Sequence, residues 1–385
     1  MDFELSSQQT AFRDVIRVFA RRSIAPVARQ WEREGRYPAE IVDEMKAMGL
    51  FGMLVPQEFG GIGLDAVSYS IVFEELARDW MGVAGVLGSH SLATWMLATH
   101  GTDSQRRRWL PDLATGKRRS GLALTEPGAG SDLQGISTNA YRDGDHYVVN
   151  GAKTWITNAR FADPLPVLVK TDKEAQPPHK GMTVLMIEQD TPGFSVGNDL
   201  GKLGYKGPES SEVFLDDCRV PVENALGGHE GLGLQQALSA LEFGRVNIAG
   251  RAVGLAQSCL DRSLAYAHHR SAFGHPIADF QAIQLKLADM ATEIQAARLL
   301  TWWAASTLDS GRRADVETGM AKLYASEVCI KAALEAMRIH GGYGYSTDLD
   351  IERFYRDAPM MAIAEGTNDI LRTVIARRLG RDDRL

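Results

Sequence analysis

Apolar positions recur at helical spacing over the first third of the chain. Ser6 and Gln9 predict a capping box, and Phe12, Val15, Ile16 and Phe19 form one stripe behind it until Pro26 interrupts the pattern. A second helix is predicted from Pro38 to Met48, stopped by Gly49. Val55 to Gly63 is loop by its Pro and Gly content, and Asp65 is placed to cap a helix bearing Ile71, Phe73 and Leu76. The weakly polar run Met81–Leu97 contains His90 and several glycines, serines and threonines, which predicts a buried helix, not a membrane span. Helical pattern continues to Leu113 and ends at Thr115-Gly116.

Near residue 120 the period changes. Asp143-Gly144 and Asn150-Gly151 are hairpin-turn dipeptides. Short β-favouring runs lie at His146–Val149, Thr154–Thr157, Pro166–Val169, Met182–Ile187 and Glu212–Val220. Turn signals at short intervals predict an antiparallel sheet or small barrel, and the absence of strand–helix alternation argues against a parallel dinucleotide fold. From Gly231 helix returns, with long Ala- and Leu-rich stretches at 231–268, 277–310 and 315–340 that suit a bundle. The expected fold class is therefore α+β and multidomain. It comprises an all-α domain (1–119), a middle antiparallel β-barrel domain (120–230) and a four-helix-bundle-like domain (231–385).

Composition changes this picture little. The 385 residues are 44% hydrophobic and 24% charged, ordinary for a globular protein, and the net charge of −7 offers nothing to nucleic acid or an anionic membrane. Arg106-Arg107-Arg108 and Arg377-Arg378 read as solvated helix faces, although a ligand's phosphate could use such a site. Cys218, Cys259 and Cys329 form no CxxC, which fits a reducing compartment. The acidic Met1–Glu4 lacks the features of a signal peptide, so a cytoplasmic protein is expected. His268 and His269 are adjacent on a helix and make a poor metal pair, and no metal is expected. GxSxG, HExxH and Walker sequences do not occur.

Five stretches carry candidate chemistry. Leu122–Asp132, which includes Leu124, Thr125 and Ser131, clusters glycines and hydroxyls suited to an anion or a ring edge, or to an ordinary surface turn. Asn150–Asn158 presents Trp155 beside Thr157, for stacking on a flat ring or for core packing. Arg270–Gly274 with Gln281, and Arg338–Tyr345, offer cations beside glycine or aromatic residues, or simply end helices. Met360–Asp369 ends an apolar run in Glu365-Gly366, ahead of a helix marked by Ile370, Leu371, Val374, Ile375 and Leu379, with Thr367 and Asn368 as caps and Gly380 as a stop. Burial of Glu365 there would raise its pKa, as a base acting near neutral pH needs, and a capped helix with an incidental Glu is the plainer alternative.

In this order and register, the five stretches resemble the acyl-CoA dehydrogenase family of flavoproteins over essentially the whole chain. The resemblance implies FAD, an acyl-CoA substrate, electron-transfer flavoprotein as acceptor, and a homo-oligomer, most simply a tetramer, because flavin sites straddle subunits. It implies that Glu365 removes the α-proton of the thioester. Some members carry this base just before the bundle Arg, but here that position is Gly244, ahead of Arg245. Arg245, Glu242, Ser131, Ala364 and Gly366 match substrate contacts. Leu122, Leu124, Thr125, Ser131, Trp155, Thr157, Thr367 and Asp369 match flavin contacts, with Arg270, Phe273, Gln281, Arg338, Gly341 and Gly342 completing the cofactor set. Arg270, Phe273 and Gln281 are expected to reach a neighbouring subunit's FAD. Arg338 stands where many members carry Gln, and Leu122 replaces a residue that is often aromatic.

Ala364, Gly85 and Gly88 are smaller than the residues usual around the acyl pocket. They suggest a wide site for a branched, cyclic or bulky acyl group, unless other side chains fill the space. A flavin oxidase or monooxygenase of the same fold, or a catalytically silent acyl-CoA- or flavin-binding protein, are the competing readings. Glu365 argues against the silent one.

Overall fold

The computed structural model describes residues 4–379. The first layer is helical: α1 (Ser7–Phe19), α2 (Ala28–Glu34), α3 (Ala39–Ala47), α4 (Ala66–Ala77), α5 (Met81–His100) and α6 (Asp103–Ala114). Caps start these helices where the sequence places them. The Ser6 hydroxyl accepts from the Gln9 N–H and the Gln9 side chain accepts from the Ser6 N–H, while Asp65 accepts from the Ser68 N–H. The α1 stripe does not end at Pro26 directly. A π-helical turn, Ala20–Ile24, carries the chain from α1 towards α2. Val15 points outward, whereas Ile16 and Phe19 join a core built around Tyr69, Phe73 and Trp80. Every residue of α4 is buried and so are 15 of the 20 in α5, which explains why neither shows a one-sided apolar stripe. No described helix is long and apolar enough to cross a membrane.

The middle layer is a six-stranded sheet of β1 (Asn139–Asp143), β2 (His146–Thr157), β3 (Leu165–Lys170), β4 (Met182–Ile187), β5 (Phe194–Asp199) and β6 (Ser210–Pro221), in the order β4-β3-β1-β2-β6-β5. All pairs are antiparallel except β1–β3, which run parallel. Asp143-Gly144 does turn the β1–β2 hairpin. Asn150-Gly151 does not turn: it is a bulge inside one continuous β2, where the register against β6 shifts between Val149 and Gly151. Reciprocal hydrogen bonds seal the bulge, from Asn150 Nδ2 to Asp217 Oδ1 (3.0 Å) and from the Asp217 N–H to Asn150 Oδ1 (2.9 Å). A Cβ at Gly151 would lie 2.4 Å from Thr138 Oγ1, so the close approach requires glycine. β5 is largely exposed and β1 partly so, and their polar sequences carry no alternation for a pattern search to find.

The third layer contains α7 (Gly233–His269), a two-residue hairpin of β7 (Ser271–Ala272) and β8 (His275–Pro276), α8 (Gln281–Asp309) and α9 (Asp315–His340). The short helices α10 (Gly342–Tyr345), α11 (Ile351–Asp357) and α12 (Met360–Ile363) follow, and α13 (Asn368–Leu379) ends the described chain. The proposed stop at Gly380 lies outside the described residues. Alanines at Ala249, Ala252, Ala256, Ala325, Ala332 and Ala336 let α7 and α9 pack closely. Helix α5 lies between the α-domain core and α7, and it forms one wall of the site.

Candidate active site

Glu365 occupies the break between α12 and α13. Its φ is +56° and that of Gly366 is +93°, a left-handed pair that costs a non-glycine residue about 1 kcal/mol or more. The break is pinned from α9: Lys322 Nζ donates to the Gly366 carbonyl (2.8 Å) and to Asn368 Oδ1 (2.9 Å). Asn368 itself donates to Ser326 Oγ (3.0 Å) and to Glu327 (3.0 Å). Thr367 Oγ1 accepts from the Ile370 N–H (3.4 Å), so Thr367 caps α13 while Asn368 anchors it to α9.

The Glu365 carboxylate points at α7 and α5. A Cβ on Gly244 would sit 2.6 Å from Glu365 Oε2 and 3.1 Å from Leu92 Cδ1, so glycine at 244 makes the room that this carboxylate fills. The wall is Leu92 rather than Ile363, which is 65% exposed. Burial raises the Glu365 pKa, and Arg251, Lys322 and Arg245 act against that rise. Burial also brings Lys322 down to about 7, with Glu365 opposing. Beside them, burial raises the Glu242 carboxyl against the pull of Arg245, whose Nη1 donates to the Asp315 carbonyl (3.3 Å). The arrangement can take a proton from a weak carbon acid held at Gly366, where a Cβ would meet only Leu371 Cδ2, at 3.8 Å.

A second face is built from β2 and the 122–131 loop. Lys153 is fully buried and donates to the Leu124 carbonyl (3.1 Å) and to Glu126 Oε1 (2.9 Å), locking the loop to the strand. Burial lowers Lys153 to about 8. Burial also opposes ionisation of Glu126, but hydrogen bonds from Lys153, Thr138 and Ser137 outweigh it and hold that carboxyl at about 2. Two residues on, Trp155 takes φ +62° at a second register shift, and its ring is 56% exposed. Thr125 and Thr157 are half-buried, Leu122 and Leu124 pack beneath them, and Ser131 is exposed. Among the described residues no backbone group takes the N–H of Leu124 or Thr125. An upturned, solvent-facing indole beside free N–H donors fits a flat, hydrogen-bonding ring such as isoalloxazine.

The other cofactor candidates are elsewhere. Arg270 lies beyond the end of α7, roughly 39 Å along the helix from Gly244. It shares a cleft of about 440 Å³ with Tyr266, Gly341 and Gly342. Phe273, 93% exposed with φ +52°, tips the β7–β8 hairpin, and Gln281 is exposed at the start of α8. Arg338 pairs with Glu335 on its own helix (2.5 Å), and Asp369 is exposed and pairs with Arg372 (3.1 Å). One chain therefore presents two separate groups of cofactor candidates, with Thr367 beside Glu365 and Gly341-Gly342 beside Arg270.

The chain matches the acyl-CoA dehydrogenase N-terminal domain over residues 6–117, the middle domain over 121–218 and the C-terminal domain over 231–380. The chain belongs to the acyl-CoA dehydrogenase family. Members of this family are flavoproteins. The chain is 42% identical over 381 residues to the probable acyl-CoA dehydrogenase YngJ of Bacillus subtilis, covering 98% of this chain and 100% of that protein. It is 41% identical over 377 residues to subunit CarC of the caffeyl-CoA reductase–Etf complex of Acetobacterium woodii, covering 97% and 98%. Butyryl-CoA dehydrogenase from Megasphaera elsdenii has the same fold, with TM-score 0.96, 36% identity, and 99% and 100% coverage.

In this acyl-CoA dehydrogenase the glycines of α5 do not widen the pocket. A Cβ at Gly85 would lie 1.8 Å from the Tyr205 hydroxyl, and one at Gly88 would lie 1.8 Å from Arg251 Nη2 and 2.6 Å from Asn247 Nδ2. Other side chains fill that space, as the alternative reading had it. Arg251, Asn247 and Lys322 escaped the sequence reading. Gly244, Asn247 and Arg251 are spaced i, i+3, i+7 on one face of α7, and with Arg245 the latter two are the polar residues of an otherwise apolar stretch; that spacing is the signal the sequence offers.

Proposed function

We propose that this protein desaturates an acyl-CoA thioester between its α and β carbons, with Glu365 taking the α-proton. The observation that supports this is the placement of a left-handed, desolvated Glu365 in the room left by Gly244, under three cations. Burial keeps the carboxylate basic, while Arg251, Lys322 and Arg245 keep it ionisable. Gly366 leaves the thioester free to approach, and the backbone N–H of Glu365 would polarise the carbonyl as the proton leaves. Glu242 and Arg245 would hold the pantetheine arm and line the opposite side. FAD, when bound, supplies the acceptor for the β-hydride. Trp155, Thr157, Thr125 and Leu124 would hold its ring, Ser131 and Thr367 its flanks.

The 39 Å separation supports sharing of cofactor sites between subunits. Arg270, Phe273, Gln281, Gly341 and Gly342 of one copy would serve the FAD of another, which makes the active form a homo-oligomer, most simply a tetramer. Exposed Phe273 is what such a contact needs. Electron-transfer flavoprotein is the proposed acceptor, consistent with the Etf complex of the relative CarC, and the cytoplasm the proposed location.

The test is anaerobic. Purified protein should be yellow and should bleach on addition of an acyl-CoA, and Glu365→Gln should retain the colour without bleaching. Bleaching that survives this substitution would remove the role of Glu365. Fast reoxidation in air with peroxide release would mark an oxidase instead.

A further inference from the structure

The polar groups opposite Gly88 are buried and leave hydrogen-bonding atoms unmatched, although the Arg251 guanidinium lies over the Phe73 ring, 5.4 Å from its centroid. Arg251 is 4% exposed, yet forms no ion pair with any described residue, and its Nε is sealed from solvent without an acceptor. Its Nη2 packs against Gly88, with the Tyr205 hydroxyl as its neutral neighbour and no carboxylate paired to it. Asn247 is fully buried with both Nδ2 and Oδ1 unsatisfied. The Tyr69 hydroxyl, also fully buried, lies near Asn247 and Ser91 and bonds neither in good geometry. Leaving such groups unmade costs about 1–3 kcal/mol each, more for a cation, so three together on a folded wall signal an absent acceptor.

Their location names that acceptor. Gly244, Asn247 and Arg251 share one face of α7, and Gly244 packs against the Glu365 carboxylate, so the guanidinium lies along the same face as the base. The glycines at 85 and 88 are spaced for α5 to admit Tyr205 and Arg251 instead of apolar side chains. Arg251, Lys322 and Arg245 all act on Glu365 through space, but no hydrogen bond or ion pair joins Arg251 to that carboxylate. A methyl-terminated chain entering here would bury a cation and an amide against hydrocarbon and satisfy neither. An acyl tail ending in a carboxylate would take two N–H donors from Arg251 in the fork geometry, with Asn247 Nδ2 and the Tyr69 hydroxyl supplying others.

We infer that the acyl group carries a terminal carboxylate, received by Arg251 with Asn247 and Tyr69. This deepens the dehydrogenase reading and rests on it.

The test compares short ω-carboxyacyl-CoA thioesters with methyl-terminated thioesters of equal length on the FAD-loaded enzyme, reading equilibrium binding by calorimetry and anaerobic bleaching separately. Binding decides the carboxylate inference, and bleaching decides the dehydrogenase reading beneath it. Expected is tighter binding of the carboxylate series by at least about a hundredfold. Arg251→Met should abolish that preference while improving methyl-terminated binding, and Arg251→Lys should restore part of it. Equal wild-type binding of the two series would overturn the inference even if both bleach. So would an Arg251→Met variant that weakens both series alike, since Arg251 would then act only through Glu365. Should Arg251→Met fail to fold, the wild-type comparison and Asn247→Leu, expected to weaken only the carboxylate series, still decide.

Discussion

His90 and Gly88 lie on the same buried helix and face different polar neighbourhoods. At His90 both ring nitrogens are used: Nε2 bonds the Phe51 carbonyl (3.1 Å) and Nδ1 accepts from the Ser120 N–H (3.1 Å). Burial lowers its pKa to about 4, so it is neutral and serves the packing of α5. Opposite Gly88, Arg251, Asn247 and Tyr69 leave donors and acceptors unmade. A satisfied buried group stabilises the fold, and a cluster of unsatisfied ones is where the inferred carboxylate would bind. The comparison separates a structural histidine from a recognition site two residues away.

Substitutions should break the two neighbourhoods differently. The largest effect is expected at Glu365→Gln, with kcat down about 10²–10⁴-fold and the thermal midpoint little changed. Next, Lys153→Met leaves Glu126 buried without its cation, so it should cost about 3–5 kcal/mol and loosen FAD retention, read by thermal denaturation and by flavin released on gel filtration. His90→Ala should cost about 2–3 kcal/mol with kcat per bound flavin unchanged, and a lost rate with intact stability would reverse the assignment of roles.

Two pH dependences follow. Unfolded His90 binds a proton near pH 6.5 and the folded residue only near 4. Stability from this residue is intact above 6.5 and falls as pH drops towards 4, and His90→Gln should flatten that slope. Glu365 acts unprotonated and its pKa is raised, so activity should fall on the acid side at a pH above the ordinary Glu range, with an inflection that Arg251→Met moves further up. The smallest effect is expected at Ser6→Ala, about 1 kcal/mol through the lost cap, far from either neighbourhood.

The layered fold was legible because α7 and α9 are long Ala- and Leu-rich stretches, Ser6 and Asp65 cap helices by local chemistry and Gly144 marks a turn. The Asn150-Gly151 bulge was not legible: the same dipeptide serves a turn or a bulge, and the choice lay with Thr138 and Asp217, distant in sequence. The family resemblance pointed to Glu365, but its surroundings came from packing. Gly85 and Gly88 read as empty space because a glycine does not say what enters the room it leaves. Only the structure brings Tyr205 and Arg251 there. The two separate cofactor groups follow from the length of α7, which spacing of motifs along a chain does not reveal.

The central claim is that Glu365 removes an α-proton, and deuterium uptake tests it without hydride transfer. The holoenzyme is incubated in D2O with a CoA thioester that has α-hydrogens and no β-hydrogen, and α-carbon exchange is followed by mass spectrometry. Wild-type enzyme should exchange the α-hydrogen well above the enzyme-free blank, and Glu365→Gln should fall to the blank with its flavin still bound. Exchange that persists in Glu365→Gln would contradict the account.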